Sequence, residues 1–315
     1  MRKISRRSFT KKSAIATAAI AFDPLALQWK RETDKPGIPL GGPLFSSFNN
    51  PDDWIKRLRE SGYTAAYCPL DPGSGGDEIR AYRQAASRAD IIIAEVGAWS
   101  NPISPDQNQR EAAIDKCIKS LHLADEIGAS CCVNISGSRN PKHWAGPHHD
   151  NLTDEVFEMV VETTRKIIDH VKPVRTWFTL EAMPWSFPHS PDAYVRLIKA
   201  IDRDRFAVHM DPVNMVVSPE IYFNNGALIR DCFKKLGPYI KSCHAKDITL
   251  REDIYTPHLT EVRPGLGLLN YKVFLQELAK FPNVPLMMEH LDTEAEYRLA
   301  SEYIRSEARK SGIKI

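Results

Sequence analysis

The sequence predicts a single α/β domain of the (β/α)₈ barrel (TIM barrel) class. Eight short apolar runs alternate with amphipathic segments of helical period. Strands that alternate with helices pair in parallel through right-handed crossovers, and eight such units favour a closed barrel over an open sheet. The length of 315 residues also fits, since barrels of roughly 250 residues are routinely one domain.

The predicted strands are largely apolar on both faces, as expected where helices cover one face and side chains fill the barrel on the other. They are Pro43–Ser47, Ala65–Cys68, Ile91–Val96, Ser130–Ile135, Thr176–Glu181, Phe206–Asp211, Tyr239–His244 and Leu286–Glu289. Helical patterns follow each strand, and acidic residues in several first turns suit the helix dipole. These helices are predicted at Asp52–Ser61, Asp77–Ala89, Asp106–Ile127, Thr153–His170, Asp192–Ile201, Gly226–Leu236, Tyr271–Lys280 and Thr293–Ser311.

Two long segments follow predicted strands, Gly137–Leu152 and Ala245–Asn270. Both are expected at the C-terminal face of the barrel, where the active sites of this fold are found. The first contains His143, His148 and His149, which could bind a second metal, although solvated histidines are favoured in so polar a loop.

The N-terminus resembles a twin-arginine (Tat) export signal. Ser5–Lys12 reads S-R-R-S-F-T-K-K, and the mildly apolar Ser13–Ala21 ends in A-I-A. A charged head, a short apolar middle and a small-residue exit are typical of such signals. Residues 1–35 are therefore predicted to be a signal and linker, residues 36–315 the barrel, and the location periplasmic or exported; a basic tail is the alternative.

Composition narrows the function classes. The chain has 42 basic and 40 acidic residues, which gives no electrostatic case for nucleic acid. No apolar run reaches about 18 residues, so no membrane span is expected. The six cysteines include no C-x-x-C pair and are interpreted as buried free thiols. Export to the periplasm would leave a disulfide bond as the alternative. The sequence does not determine the oligomeric state, and a homo-oligomer is one alternative.

Four late strands each end in a residue able to bind a metal. These residues are Glu181, Asp211, His244 and Glu289. Carboxylates at strand ends can also cap helices or pair with arginines, but buried ones need a partner or a cation. The set predicts one divalent ion; its oxygen-rich donors favour Mn²⁺, Mg²⁺ or Co²⁺, and Zn²⁺ can also use it.

The period of two in a strand also predicts what lies one layer below these residues. Thr179, His209, Ser242 and Met287 each precede one of them by two positions. His209 would lie beneath the metal, either orienting the site or as a satisfied core histidine.

The strings L-E, M-D-P-V-N, C-H-A-K-D and M-E-H at the four strand ends resemble the xylose isomerase-like TIM-barrel superfamily. Within that superfamily, the strings more closely resemble those of the sugar phosphate isomerase/epimerase group, which includes ketose 3-epimerases and hydroxypyruvate isomerases. The resemblance spans roughly residues 40–312. It implies that the four residues are metal ligands and that Glu181 and Glu289 double as the acid/base pair. Asn214 replaces a substrate-binding histidine that the epimerases usually carry, which weakens transfer of that particular activity.

The expected function is a metal-dependent sugar isomerase or epimerase, in which a proton next to a carbonyl is removed and a metal stabilises the enediolate. The first alternative is a lyase that expels the anomeric group of a 3-keto-glycoside after the same proton removal; Asn214, Trp144 and Trp185 favour it. A non-catalytic sugar-binding barrel is a further alternative. The superfamily also contains apurinic endonucleases, which look like three-zinc enzymes with more histidine ligands and a basic DNA groove. The near-neutral charge and the short ligand list of this sequence count against that class.

The partner is expected to be a small sugar or sugar derivative, free or phosphorylated. Lys246 shares a strand face with His244 and could reach a substrate oxygen, or instead pair with Asp247 or Glu289. Arg263 lies in a turn-rich loop at the mouth of the barrel and is a candidate to bind substrate. The alternative is a surface arginine without a role in binding. The candidate substrate-binding residues are Trp185, His209, Asn214, Lys246 and Arg263.

Overall fold

The computed structural model describes residues 37–315, in which eight parallel strands form a nearly closed barrel with helices between them. The barrel class predicted from the sequence is thereby confirmed. Around the sheet the strands run β1, β10, β7, β6, β5, β4, β3 and β2. Their bounds are β1 Leu40–Gly41, β2 Ala65–Tyr67, β3 Ile92–Gly97, β4 Cys131–Asn134, β5 Phe178–Glu181, β6 Phe206–Met210, β7 Ile240–Ala245 and β10 Leu286–Met288.

The helices form the outer layer, and several begin at a capping side chain. Asn50, Asp106 and Thr153, for example, each accept a hydrogen bond from the backbone N–H three residues on. None of the helices in residues 37–315 is long and apolar enough to cross a membrane. The helices are α1 Pro51–Glu60, α2 Gly76–Ala89, α3 Gln107–Ile127, α4 Asp154–Val171, α5 Pro191–Ile201, α6 Pro219–Phe223, α7 Asn225–Leu236, α8 Tyr271–Leu278 and α9 Glu294–Lys310.

Most of the core lies between the sheet and the helices, and a smaller cluster fills the barrel. The interior cluster consists of Ala65, Ala94 and Met287, all fully buried. All six cysteines are free thiols, and only Cys68 is not fully enclosed. The predicted export signal lies outside the described residues.

The position predicted for the first strand is wrong. Strand β1 comprises Leu40 and Gly41, which pair with Leu286 and Met287 of β10, rather than Pro43–Ser47. Proline has no backbone N–H for a ladder, and the segment that begins at Pro43 forms the loop before α1.

A β-hairpin lies inside the segment predicted to be a long loop after β7. Strands β8 (Asp247–Leu250) and β9 (Leu259–Val262) pair antiparallel and form a separate two-stranded sheet. The short helix α6 before α7 was also missed, because five residues give too little helical period to detect.

Strand β3 contains a register shift that turns a carboxylate into the barrel. Ala66 pairs with Ile93, but the next residue, Tyr67, pairs with Glu95, so that Ala94 has no partner of its own on β2. An extra residue in one strand re-aims the side chains after it. Glu95 therefore points inward together with Tyr67.

Gly41 should be required where the barrel closes. A Cβ at this position would lie 2.3 Å from the carbonyl oxygen of Ala65, so the backbone would have to move. We expect Gly41→Ala to lower the free energy of unfolding by about 1–3 kcal/mol in urea titrations. Gly76→Ala, in the first turn of α2, is the matched control and should be neutral or stabilising because a Cβ there meets only the flexible end of Arg80. Equal effects of the two changes would contradict this account.

Candidate metal centre

The four predicted ligands converge at the C-terminal mouth of the barrel. Glu181, Asp211, His244 and Glu289 each offer one donor atom, and these atoms all lie within 4.8 Å of one another. Asp211 and His244 are completely buried, Glu181 is nearly so, and the side chain of Glu289 is 12% exposed. Adjacent parallel strands β5, β6, β7 and β10 end at the same edge, which is why consecutive strand ends bring these side chains together.

His244 is the centre of this group. Its Nδ1 lies 3.0 Å from Oε1 of Glu181 and 2.9 Å from Oε1 of Glu289. Burial by itself would lower the pKa of His244, but the surrounding carboxylates, Glu289 foremost, raise it well above the ordinary value. His244 in turn outweighs the effect of burial on Glu181 and Glu289 and lowers the pKa of both.

Asp211 is oriented by the backbone that follows it. Its Oδ1 accepts hydrogen bonds from the N–H groups of Val213 and Asn214, at 3.0 and 3.4 Å. Burial raises the pKa of Asp211 to about 7, against the opposing charge of Lys246. The carboxyl is thus held in one orientation, with Oδ2 turned towards the other candidate ligands.

The centre has the donor set that a divalent cation needs. Oδ2 of Asp211 and Oε1 of Glu289 are buried and contact charged side chains: Nζ of Lys246 lies 2.7 Å from the first and 3.0 Å from the second, and Nδ1 of His244 lies 2.9 Å from the second. Buried carboxylates are costly unless a cation neutralises them. Three carboxylates and one imidazole nitrogen fit an oxygen-preferring divalent ion, which would balance the negative charge that the single ammonium group of Lys246 leaves.

Lys246 brings a fixed positive charge into the same group. Its Nζ lies 2.7 Å from Oδ2 of Asp211 and 3.0 Å from Oε1 of Glu289. It also donates to Oδ1 of Asn214 at 3.1 Å, and the Nδ2 of Asn214 donates to Glu181 at 3.2 Å. Asn214, which stands where the resemblance leads one to expect a histidine, therefore links the ammonium group to a candidate ligand.

The neighbouring Asp247 organises the loop that carries the hairpin. Its two carboxylate oxygens accept four backbone N–H groups, from Ile248, Gly265, Gly267 and Leu269, at 2.8–3.0 Å. Asp247 therefore forms no ion pair with Lys246. The hairpin instead brings Glu261 to the mouth, where it contacts Lys246 at 3.4 Å and His290 at 3.0 Å.

A cavity of about 590 Å³ opens directly above these side chains. Its lining combines indole and aliphatic groups with Lys246 and two of the candidate ligands, Glu181 and Glu289. The Nε1 of Trp185 donates to the carbonyl of Ala145 at 2.7 Å, which joins the loops after β4 and β5. The lining residues are Pro43, Tyr67, Glu95, Trp99, Ile135, Trp144, Ala145, Glu181, Met183, Pro184, Trp185, Asn214, Lys246, Glu261, Glu289, His290 and Tyr297.

Other sequence-predicted residues lie away from the cavity surface. His209 is fully buried beneath His244, with ring centroids 4.1 Å apart. Arg263 donates to the carbonyl of Pro264 and lies 3.7 Å from Glu296. His148 and His149 group with Asp150 at the surface, apart from the main centre.

Glu95 belongs to the centre but was missed by sequence reasoning. Its Oε1 lies 3.1 Å from Nε2 of His244, and its Oε2 lies 2.8 Å from Nε2 of His209. The two imidazoles outweigh the effect of burial and lower the pKa of Glu95. A single acidic residue inside an apolar run was the available signal, but strict alternation does not put it on the inner face of β3.

The fold and the acidic centre at its mouth define a (β/α)₈ barrel with a candidate metal site. A family model described as "Xylose isomerase-like TIM barrel" matches residues 55–307, so the chain belongs to that family. No curated protein matches the sequence.

Solved structures support the same fold. A magnesium complex of a xylose isomerase-like TIM barrel protein from Mycobacterium smegmatis is 19% identical, with 89% of this chain and 98% of that chain covered and a TM-score of 0.60. D-psicose 3-epimerase from Clostridium cellulolyticum, solved with D-tagatose, is 16% identical, with coverage of 87% and 98% and a TM-score of 0.61. The 3-keto-D-glucoside 4-epimerase of E. coli is 14% identical, with coverage of 85% and 99% and a TM-score of 0.59.

Replacing Lys246 should expose the charge imbalance of the centre. Lys246→Met leaves Asp211 and Glu289 without their counter-charge, which typically costs about 3–5 kcal/mol for a buried pair. We expect that loss in urea titrations with EDTA and a recovery of stability when Mn²⁺ is added. Lys241→Met, on β7 with its Nζ over the ring of Trp177, should cost about 1 kcal/mol or less. A Lys246 variant as stable in EDTA as the parent would refute the ion pairing.

Proposed function

We propose that this protein is a metal-dependent isomerase or epimerase of a sugar or sugar derivative. The observation that carries the proposal is the pair of carboxylates, Glu181 and Glu289, that flank Nδ1 of His244 at the base of the cavity. The structural neighbours that are named as sugar epimerases support the same class of reaction.

In the proposed reaction, each residue of the centre has a separate chemical role. Glu181, Asp211, His244 and Glu289 would hold a divalent ion, which would supply Lewis-acid polarisation of a carbonyl. Glu181 takes the proton from the carbon next to that carbonyl, which gives an enediolate, and Glu289 delivers a proton from the other side. Return to the opposite face of the same carbon is epimerisation, whereas return to the neighbouring carbon is aldose–ketose isomerisation. Lys246 and Asn214 offer hydrogen bonds to substrate oxygens.

Glu181→Gln should abolish proton transfer. An amide cannot accept the proton, so we expect exchange of the substrate carbon-bound hydrogen to fall by about 10²–10⁴-fold. The measurement is deuterium incorporation in D₂O, followed by NMR over a panel of free, phosphorylated and keto-sugars, with the metal content of each sample determined.

The matched control is Glu158→Gln, an exposed carboxylate on α4, which should exchange at the parental rate. Near-normal exchange in a metal-loaded Glu181→Gln protein would refute the assignment of the base. A parent protein that binds Mn²⁺ and sugars without any exchange would favour the sugar-binding alternative.

A second candidate function is favoured by the apolar side of the cavity. Trp99, Trp144 and Trp185 line a space of about 590 Å³, within the range of pockets that hold drug-sized ligands. If the substrate is a glycoside with a ring ketone, proton removal next to that ketone can expel the anomeric group, and this aromatic side suits an aglycone or second sugar. The export that the N-terminal sequence predicts is part of this proposal, since it favours an unphosphorylated glycoside.

Trp185 should distinguish the two substrate classes. We expect Trp185→Ala to raise KM for a keto-glycoside by about 2- to 12-fold, since loss of one aromatic contact is worth about 0.5–1.5 kcal/mol, with little change for a keto-monosaccharide. Trp185→Phe keeps a ring and should retain most of the affinity, and the exposed Phe223→Ala should have no effect. Steady-state kinetics with release of the aglycone measure this, and equal KM changes for both substrates would argue against a glycoside site.

A further inference from the structure

Glu95 accepts hydrogen bonds from three side chains on strands across the barrel. Oε2 receives Nε2–H of His209 at 2.8 Å and Oγ–H of Ser242 at 3.0 Å, and Oε1 receives Nε2–H of His244 at 3.1 Å. The carboxylate is 2% exposed. Three donors around one buried carboxylate form a network in which every contact fixes the other groups.

This network assigns the two ring nitrogens of His244. An ionised carboxylate can only accept hydrogen bonds, so Nε2 of His244 must carry a hydrogen. With a cation bound, the ring would be neutral and its lone pair would lie on Nδ1, the atom directed at Glu181 and Glu289. A metal-binding histidine needs that lone pair free on the side of the metal.

The register shift in β3 is what allows this contact. With regular alternation, Glu95 would share a face with Ile93, which packs in the core between sheet and helices. Because Ala94 is unpaired, Glu95 lies opposite Tyr67 and faces the barrel interior. The register shift in β3 therefore allows Glu95 to contact His244, which lies on the opposite side of the barrel.

We propose that Glu95 is the positioning residue of the metal centre: it fixes the orientation and tautomer of His244 so that Nδ1 is presented to the ion, with His209 and Ser242 holding the carboxylate in place. The inference rests on the proposed metal site. Carboxylate partners of ligating histidines typically contribute 10–100-fold to metal affinity.

The test is Mn²⁺ affinity, measured by titration calorimetry on the full-length protein after removal of metal with EDTA. Glu95→Gln should weaken Mn²⁺ binding by about 10–100-fold, because an amide cannot accept from His209, Ser242 and His244 together. Glu95→Asp keeps an ionised acceptor and should restore part of the affinity. Glu158→Gln removes the same charge from the exposed face of α4, away from His244, and should change affinity by about threefold or less.

Thermal unfolding of the metal-free variants separates positioning from structure. If Glu95→Gln lowers Tm but binds Mn²⁺ like the parent, the inference is wrong. Should that variant fail to fold, long-range ¹H–¹⁵N NMR of histidine in the Mg²⁺-loaded parent decides, with His209→Asn used for assignment. A protonated Nε2 on His244 is expected, and a proton on Nδ1 would overturn the inference. A parent protein that binds no Mn²⁺ would refute the metal site itself, and this inference with it.

Discussion

The concentration of carboxylates at one end of the barrel is the constraint on which the centre depends. Glu95, Glu181, Asp211 and Glu289 are all largely removed from water, and isolated burial of even one charge is expensive. Lys246 offsets part of that charge, and His209 and His244 donate hydrogen bonds to Glu95. The single ammonium group does not balance these carboxylates, and a divalent ion would complete the balance.

The same charges explain the layered arrangement of the mouth. Glu95 contacts His244, His244 contacts Glu181 and Glu289, and Lys246 and Asn214 line the cavity together with these carboxylates. Each layer orients the next through hydrogen bonds, so that the donor atoms are held before any ligand arrives. Asp247 serves the outer rim, because its four backbone contacts fix the loop that leads from the hairpin to α8.

Two features distinguish this chain within its resemblance to the ketose epimerases. One is Asn214, in place of the expected histidine, and the other is the aromatic side of the cavity. Asn214 uses its amide to bridge Lys246 and Glu181. The indoles of Trp144 and Trp185 extend the cavity beyond the acidic base, since the loops that carry them are joined through Ala145. The acidic residues and the indoles are therefore supplied by different elements, the former by strand ends and the latter by loops, as is common in barrels whose loops vary.

The sequence by itself determined the barrel class, most of its strands and helices, and the convergence of Glu181, Asp211, His244 and Glu289. These follow from local periodicity and from the rule that parallel strands end at one edge, and both are properties of short segments. Their role as metal ligands stays a prediction. Only the tertiary structure decided the position of β1, the β8–β9 hairpin and the inward turn of Glu95. Each of these depends on pairing between strands distant in sequence: β1 is defined by its partner β10, and Glu95 faces inward because β2 pairs with β3 out of regular register. A periodic pattern within one strand contains no information about such a shift.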